Sequence, residues 1–340
     1  MYARYAAIGA VSTTVLMGGF YVGMSGVIPS DENISVVYLI EPQRLELLAN
    51  VSSSIQTDIP PPVEGSPEYG TWLWTPTLDI TPAYREAMLS GAASHGITAI
   101  YLSIDSYLDI FILPEGPEKV SQKAAFDKAV EEFIAAAKRR GIAVDAEAGW
   151  RNWAESGHEY KALAVLDYVI EYNRTHEHAF RGFQYDVEPY LLEEYRVDKK
   201  EVLRNFLDLI HVSLTRLSGS DLRFSVVVPE FYDARGGLTP RFFYGVRFTH
   251  AFGHLLAALE RRPGSELLVM AYRNFAEGKD GALDIARDEL RAAKNTSSTV
   301  VIAQELGDVP PPYITFHSTS RVRYEREQEV IDASLGEESA

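Results

Sequence analysis

The chain of 340 residues contains no cysteine, which excludes disulfides, thiolate metal sites and a lipidated N-terminal cysteine. Positive charge is also scarce. Lysine and arginine total 32 against 48 aspartates and glutamates, a net charge of −16. A phosphate backbone needs a basic face, which this chain lacks in aggregate, so a nucleic-acid partner is not expected. The eight histidines are scattered and form no H-x-x-E-H pattern, so no metal site is expected from them. The turn after the first expected strand reads WTPTLD and lacks the glycines of a dinucleotide-binding loop. No cofactor is expected.

Long apolar runs are missing too, with one exception. Tyr5–Ile28 is uncharged and almost wholly apolar, preceded by Arg4 and followed by Asp31 and Glu32. About 20 such residues span a bilayer core, and basic before acidic puts the N-terminus inside. Residues 1–29 therefore read as a membrane-spanning anchor, with the remainder on the extracytoplasmic side. A cleavable signal peptide with Gly23 and Ser25 as its small-x-small site is the alternative, which would make the protein secreted. Residues 30–68, with Ser52–Ser54, Pro60–Pro62 and Gly65–Pro67, read as a linker.

Residues 69–336 alternate regularly between strand and helix. Strands are expected at Thr71–Thr75, Ile97–Ile104, Ile142–Ala148, Phe183–Glu188, Phe224–Val228, Leu267–Tyr272, Thr299–Gln304 and Tyr313–Phe316. Helices are expected at Pro82–His95, Lys123–Arg140, Glu159–Arg174, Asp198–Leu217, Thr249–Arg261, Gly281–Lys294 and Val322–Leu335. Only the proline-rich Gly307–Pro312 separates the last two strands, so that helix is reduced or absent. The count and size predict an α/β fold, a (β/α)8 TIM barrel. A doubly wound open sheet is the runner-up, but it would want a glycine-rich turn after the first strand, which WTPTLD is not.

The fourth strand organises the rest. In Phe180–Glu193 the apolar Phe183, Tyr185 and Val187 alternate with Gln184, Asp186 and Glu188. A period of two puts each set on its own face. A parallel strand between two helices does not ordinarily turn two carboxylates inward, except where the interior opens at the C-terminal strand ends of a barrel. Those ends carry Trp74, Asp105, Glu147, Glu188, Glu230, Tyr272, Glu305 and His317. This reads as an acidic mouth. Helix caps attract Asp and Glu as well, and Asp105 and Glu230 fit that reading equally.

All four tryptophans fall near two of these ends, Trp72 and Trp74 after the first and Trp150 and Trp153 after the third. Aromatic faces beside carboxylates suit a sugar ring, which stacks its C–H face and bonds its hydroxyls to the acids. Trp74 and Trp150 are the candidate platforms, and a carbohydrate the expected substrate.

RGFQYDVEP resembles the fourth-strand motif of glycoside hydrolase family 18, D-G-x-D-x-D-x-E, with Gly182, Asp186 and Glu188 on pattern and Arg181 and Gln184 replacing its first two aspartates. VMAYR resembles that family's M-x-Y-D, with Met270 and Tyr272 on pattern and Arg273 in place of the aspartate. The resemblance implies Glu188 as general acid, Asp186 orienting a substrate N-acetyl nucleophile, and Tyr272 assisting. Phe316 and His317 stand where that family has an eighth-strand tryptophan. Glu188-Pro189 and Glu305 also resemble the acid/base and nucleophile pair of retaining (β/α)8 glycosidases, with Val187 replacing their asparagine. Asp105, Glu147, Gln184, Glu230, Arg273 and His317 join the two tryptophans as candidate substrate-binding residues. A glycosidase is the leading expectation. A carbohydrate-binding barrel without catalysis, or a metal-dependent hydrolase using Glu147, Asp186, Glu188 and His317, are the alternatives.

Overall fold

The computed structural model describes residues 68–233, 237–294 and 296–339. The expected membrane or signal segment 1–29, and the linker up to residue 67, lie outside the described residues.

Seven strands form one parallel sheet: β1 (Gly70–Leu73), β2 (Ala99–Ser103), β3 (Ala143–Ala148), β4 (Gly182–Tyr185), β5 (Arg223–Pro229), β8 (Glu266–Met270) and β9 (Thr299–Ala303), in that order. A separate antiparallel hairpin, β6 (Phe242–Tyr244) and β7 (Arg247–Thr249), is inserted between β5 and β8. The sheet is curled. The Trp72 indole on β1 donates to Gln184 on β4 at 2.6 Å. Across a flat sheet those strands would stand about 14 Å apart, three spacings of about 4.8 Å. Inside the curl, Tyr101, Val227, Leu268 and Met270 pack with Trp72, Tyr272 and Val301. Outside it, a larger core joins the sheet to its helices and includes Phe183, Tyr185 and Val187. Two concentric cores of alternating residues are what a TIM-type barrel requires.

The helices follow from local signals. Thr81 caps Pro82–Ser94 by accepting from the Tyr84 amide, and Gly96 and Gly141 end their helices at φ near +70° (73° and 70°), where a side chain would be strained. Asp198 caps Lys199–Arg216 by accepting from the Lys200 and Glu201 amides. That helix buries Leu203, Phe206, Leu207 and Ile210 in the outer core. Truncating one such buried side chain, Phe206→Ala, would cost about 3–5 kcal/mol.

Three expectations need correction. The eighth strand at Tyr313–Phe316 is reduced to a single parallel bridge, Glu305 to Thr315, beside a 3-10 turn at Pro312–Ile314. Pro310, Pro311 and Pro312 have no amide hydrogen to give a ladder. The helix expected from Thr249 starts at Ala251, because Thr249 is already paired in the hairpin. Gly281–Lys294 is two short helices, Ala282–Ile285 and Arg287–Ala293, rather than one.

Candidate active site

Register explains which side chains meet. Ser103, Glu147, Gln184 and Ser225 are successive partners across β2 to β5, so all four face the interior in one row. Gln184 is fully used there, accepting from Trp72 and donating to Ser225 at 3.2 Å. It is a strut of the barrel interior. One step toward the mouth stand Asp105, Gly149 and Asp186, then Glu188. Pairing continues past the end of β4, where the Asp186 amide bonds the Ala148 carbonyl at 3.0 Å. Gly149 makes this approach possible. A Cβ there would lie 1.9 Å from the Asp186 carbonyl oxygen, so only glycine fits. Its amide also donates to Asp105 at 3.2 Å.

Among the described residues the carboxylates at the mouth have no cationic partner at contact distance, and the consequences are electrostatic. Burial pushes Asp105 up to about 7, with the Gly149 amide working against it. Burial and then the charge of Asp105 hold Asp186 at about 7. Glu147 lies well above the usual carboxylate range, through burial and then the charges of Asp105 and Asp186; Ser103 offsets this in part. Neither Glu147 oxygen reaches hydrogen-bonding geometry. Glu188 is also well raised, by burial and then Asp186, while the Tyr190 hydroxyl and the more distant Arg151 charge pull the other way. Tyr190 donates to Glu188 Oε1 directly.

Tyr272 ties the two sides of the mouth together. Burial raises its hydroxyl most, followed by the charges of Glu305, Asp186, Glu188 and Glu230. Glu305 is fully buried. One of its oxygens accepts from the Gly307 amide at 2.6 Å and the other, Oε2, has no partner among the described residues. Burial lifts it to about 7 against the Gly307 and Leu306 amides. A cavity of about 130 Å³ opens beside Tyr272, lined by Tyr190, Glu230, Phe231, Met270 and Arg273.

The remaining sequence candidates scatter. Glu230 opens a 3-10 turn after β5 and is raised by burial, moderated by its own amide and Arg273. Arg273 spends its guanidinium on Asp280 at 3.0 Å and on the Tyr272 carbonyl at 2.8 Å. His317 stands 3.6 Å from Asp308 and donates its amide to the Thr315 hydroxyl at 3.0 Å. The tryptophans divide as well. Trp153 is core, edge-on to Tyr185 at 6.1 Å, and Trp74 buries an indole nitrogen that has no partner among the described residues. Trp150 is 54% exposed, with the Arg151 guanidinium 5.5 Å from its ring centre. Among the described residues no group of three or more His, Asp or Glu could hold a metal ion. Tyr190 and Gly149 escaped the sequence reading. Their only signal was adjacency, Tyr190 following Glu188-Pro189 and Gly149 preceding Trp150.

No family model matches the chain, and no curated protein does. Solved structures do match. The hyperthermostable endo-1,4-beta-D-mannanase of Thermotoga petrophila RKU-1 is 13% identical and superposes at a TM-score of 0.54, covering 79% of this chain and 85% of that one. The chain shares its barrel fold. A chitinase of Chromobacterium violaceum ATCC 12472 matches at 15% identity and a TM-score of 0.39, over 71% of this chain and 68% of its own. A D-psicose 3-epimerase of Clostridium cellulolyticum H10 matches at 13% and 0.44, over 79% and 98%. At such identities the likeness concerns the fold and not the reaction.

Proposed function

We propose that the barrel is a glycoside hydrolase acting on a polysaccharide or other glycan, with Glu188 as general acid. One observation carries this reading: Glu188 faces the mouth, and burial with the adjacent Asp186 charge raises its carboxyl well above the usual carboxylate range. A glycosidic oxygen leaves readily only when protonated, so a carboxyl that stays protonated is the group required. Its working partner is Asp186. Burial raises Glu188 most and the Asp186 charge next. The charges of Asp186 and Glu188 also act on the Tyr272 hydroxyl. This grouping suits attack by a substrate N-acetyl group steadied by Asp186 and Tyr272, with Glu305 lining a neighbouring subsite.

The test starts with a panel of α- and β-linked glycans, N-acetylated and plain. Glu188→Gln should lower turnover about 10²–10⁴-fold, the usual worth of a positioned acid, while leaving fold and glycan binding intact. Glu305→Gly should retain activity and show no rescue by azide. Azide rescue of a dead Glu305→Gly would reassign the nucleophile to Glu305. If no glycan is cleaved and Glu188→Gln binds as wild type does, the protein is a carbohydrate-binding barrel instead.

The segment Tyr5–Ile28, with Arg4 before it and Asp31 after, supports an anchored barrel on the extracytoplasmic side. Protease added to intact cells should then remove the barrel and leave a membrane-bound stub. Survival of the whole chain would count against it.

A further inference from the structure

The hairpin of β6 and β7 has no part in the barrel sheet. Phe243 and Phe248 are direct cross-strand partners, so they share one face, with ring centres 4.7 Å apart. Phe242 and Tyr244 take the other face and pack inward. Phe242 lies against His254, and Tyr244 stacks on His211 and donates to Asp208 at 2.6 Å. The outer face stays bare. Phe243 is 61% exposed, Phe248 46% and Val246 at the turn 98%. Large apolar side chains left together in water mark a contact surface more often than chance.

The charge around them is anomalous. Between Asp233 and Glu260 the sequence has no acidic residue, in a chain whose net charge is −16. Arg241 and Arg247, both exposed, flank the aromatic pair, with the Arg241 guanidinium 4.7 Å from the Phe248 ring centre. Aromatic and aliphatic tips rimmed by arginine match a bilayer interface with anionic headgroups. A second copy of this acidic chain matches less well. A stable protein interface uses about 20–30 residues a side, far more than this patch offers.

The hairpin also lies at the right end. Along the helix Lys199–Arg216, which returns from mouth to base, Lys199 bonds the Leu238 carbonyl, Arg204 the Phe243 carbonyl, and Asp208 the Tyr244 hydroxyl. The turn at Val246 therefore points down toward the base. Glu68 is at that base, paired with Arg181 at 2.7 Å beside the start of β4. Residues 1–67, which include the apolar segment, precede Glu68 in the chain.

We propose that the β6–β7 hairpin is a membrane-docking element: Phe243, Val246 and Phe248 enter the interface of an anionic bilayer, Arg241 and Arg247 engage its headgroups, and the mouth faces away from the membrane. The proposal draws on the anchor reading for the tether and is independent of the catalytic reading.

Because the chain has no cysteine, Val246→Cys in the full-length protein gives a unique labelling site, and Lys128→Cys on the opposite helix Pro117–Lys138 a reference. Each carries an environment-sensitive fluorophore, with vesicles of phosphatidylcholine alone or with a minority of phosphatidylglycerol. The expected result is a blue shift at position 246, quenched by nitroxide-labelled lipid, with phosphatidylglycerol and not at position 128. Arg241→Glu and Arg247→Glu should each reduce the immersed fraction about fivefold, and Phe243→Ser with Phe248→Ser should abolish it. The readout is the same whether the chain is anchored or only added to the vesicles. Equal responses at 246 and 128, indifference to headgroup charge, or a signal that follows protein concentration instead of lipid would each overturn the proposal.

Discussion

The two ends of the barrel bury acids in the same way and treat them differently. At the base, Asp145 is clamped by Arg181, whose Nε and Nη2 donate to its two oxygens at 2.9 and 2.6 Å. Glu68 bonds the third guanidinium nitrogen, and Arg223 lies within 3.6 Å of Glu68 and 3.8 Å of Glu266. At the mouth, Glu147 and Asp186 lie equally deep, and among the described residues no arginine pairs with them. Paired burial at the base holds strands together, while unpaired burial at the mouth stores protons. Leaving like charges desolvated is costly, and sites that do so are candidates for chemistry. Arg181 makes the contrast plain, because it occupies the first position of the motif resembling family 18 and serves the base instead.

Breaking the clamp should have the largest effect on the fold. Arg181→Met leaves Asp145 buried without a counter-charge, which typically costs about 3–5 kcal/mol. The lower end is expected, since the arginine side chain keeps 19% exposure. Urea denaturation would show it, and turnover per folded molecule should hardly change. Loss of turnover without loss of stability would erase the division between the two ends.

The mouth should instead reveal itself through pH. Asp105, Asp186 and Glu305 titrate near 7 when folded and near their ordinary values of about 4 when unfolded. Between those values the folded state binds more protons, so stability should fall as pH rises from about 4 to about 7. Below the unfolded value these groups contribute no further change. Asp186→Asn should flatten the decline and raise the melting temperature at pH 8, by about 2–4 °C for each kcal/mol recovered, while lowering turnover. A melting temperature that climbs from pH 5 to 8 would show the mouth acids to be paired after all.

The smallest effect is expected at the rim. Trp150→Ala should leave stability unchanged and weaken glycan binding by about 1–3 kcal/mol, a range typical of ring stacking on an aromatic face. Titration calorimetry against the best glycan of the panel would measure it. Unchanged affinity would leave Trp150 as a perch for Arg151 alone.

Much of this was legible in the chain. The period of two through Phe183–Glu188 assigned each side chain of β4 to its layer, because in a strand alternation and facing are the same thing. Thr81, Asp198, Gly96 and Gly141 marked helix ends for equally local reasons. The hairpin was not legible: RFFYGVRFTH is too short and too evenly apolar to separate two strands from the start of a helix.

Local order, then, came from the sequence alone: strand, helix, cap, and which face of β4 carries acid. Only the curl of the sheet decided which acids meet an arginine. Arg181 and Asp145 are 36 residues apart, and Asp105 and Asp186 further still. Their distances depend on register and curvature, which no local window encodes. Burial, which lifts the mouth carboxyls, is likewise a property of the assembled barrel, since the same residues in an open chain would be solvated and ordinary.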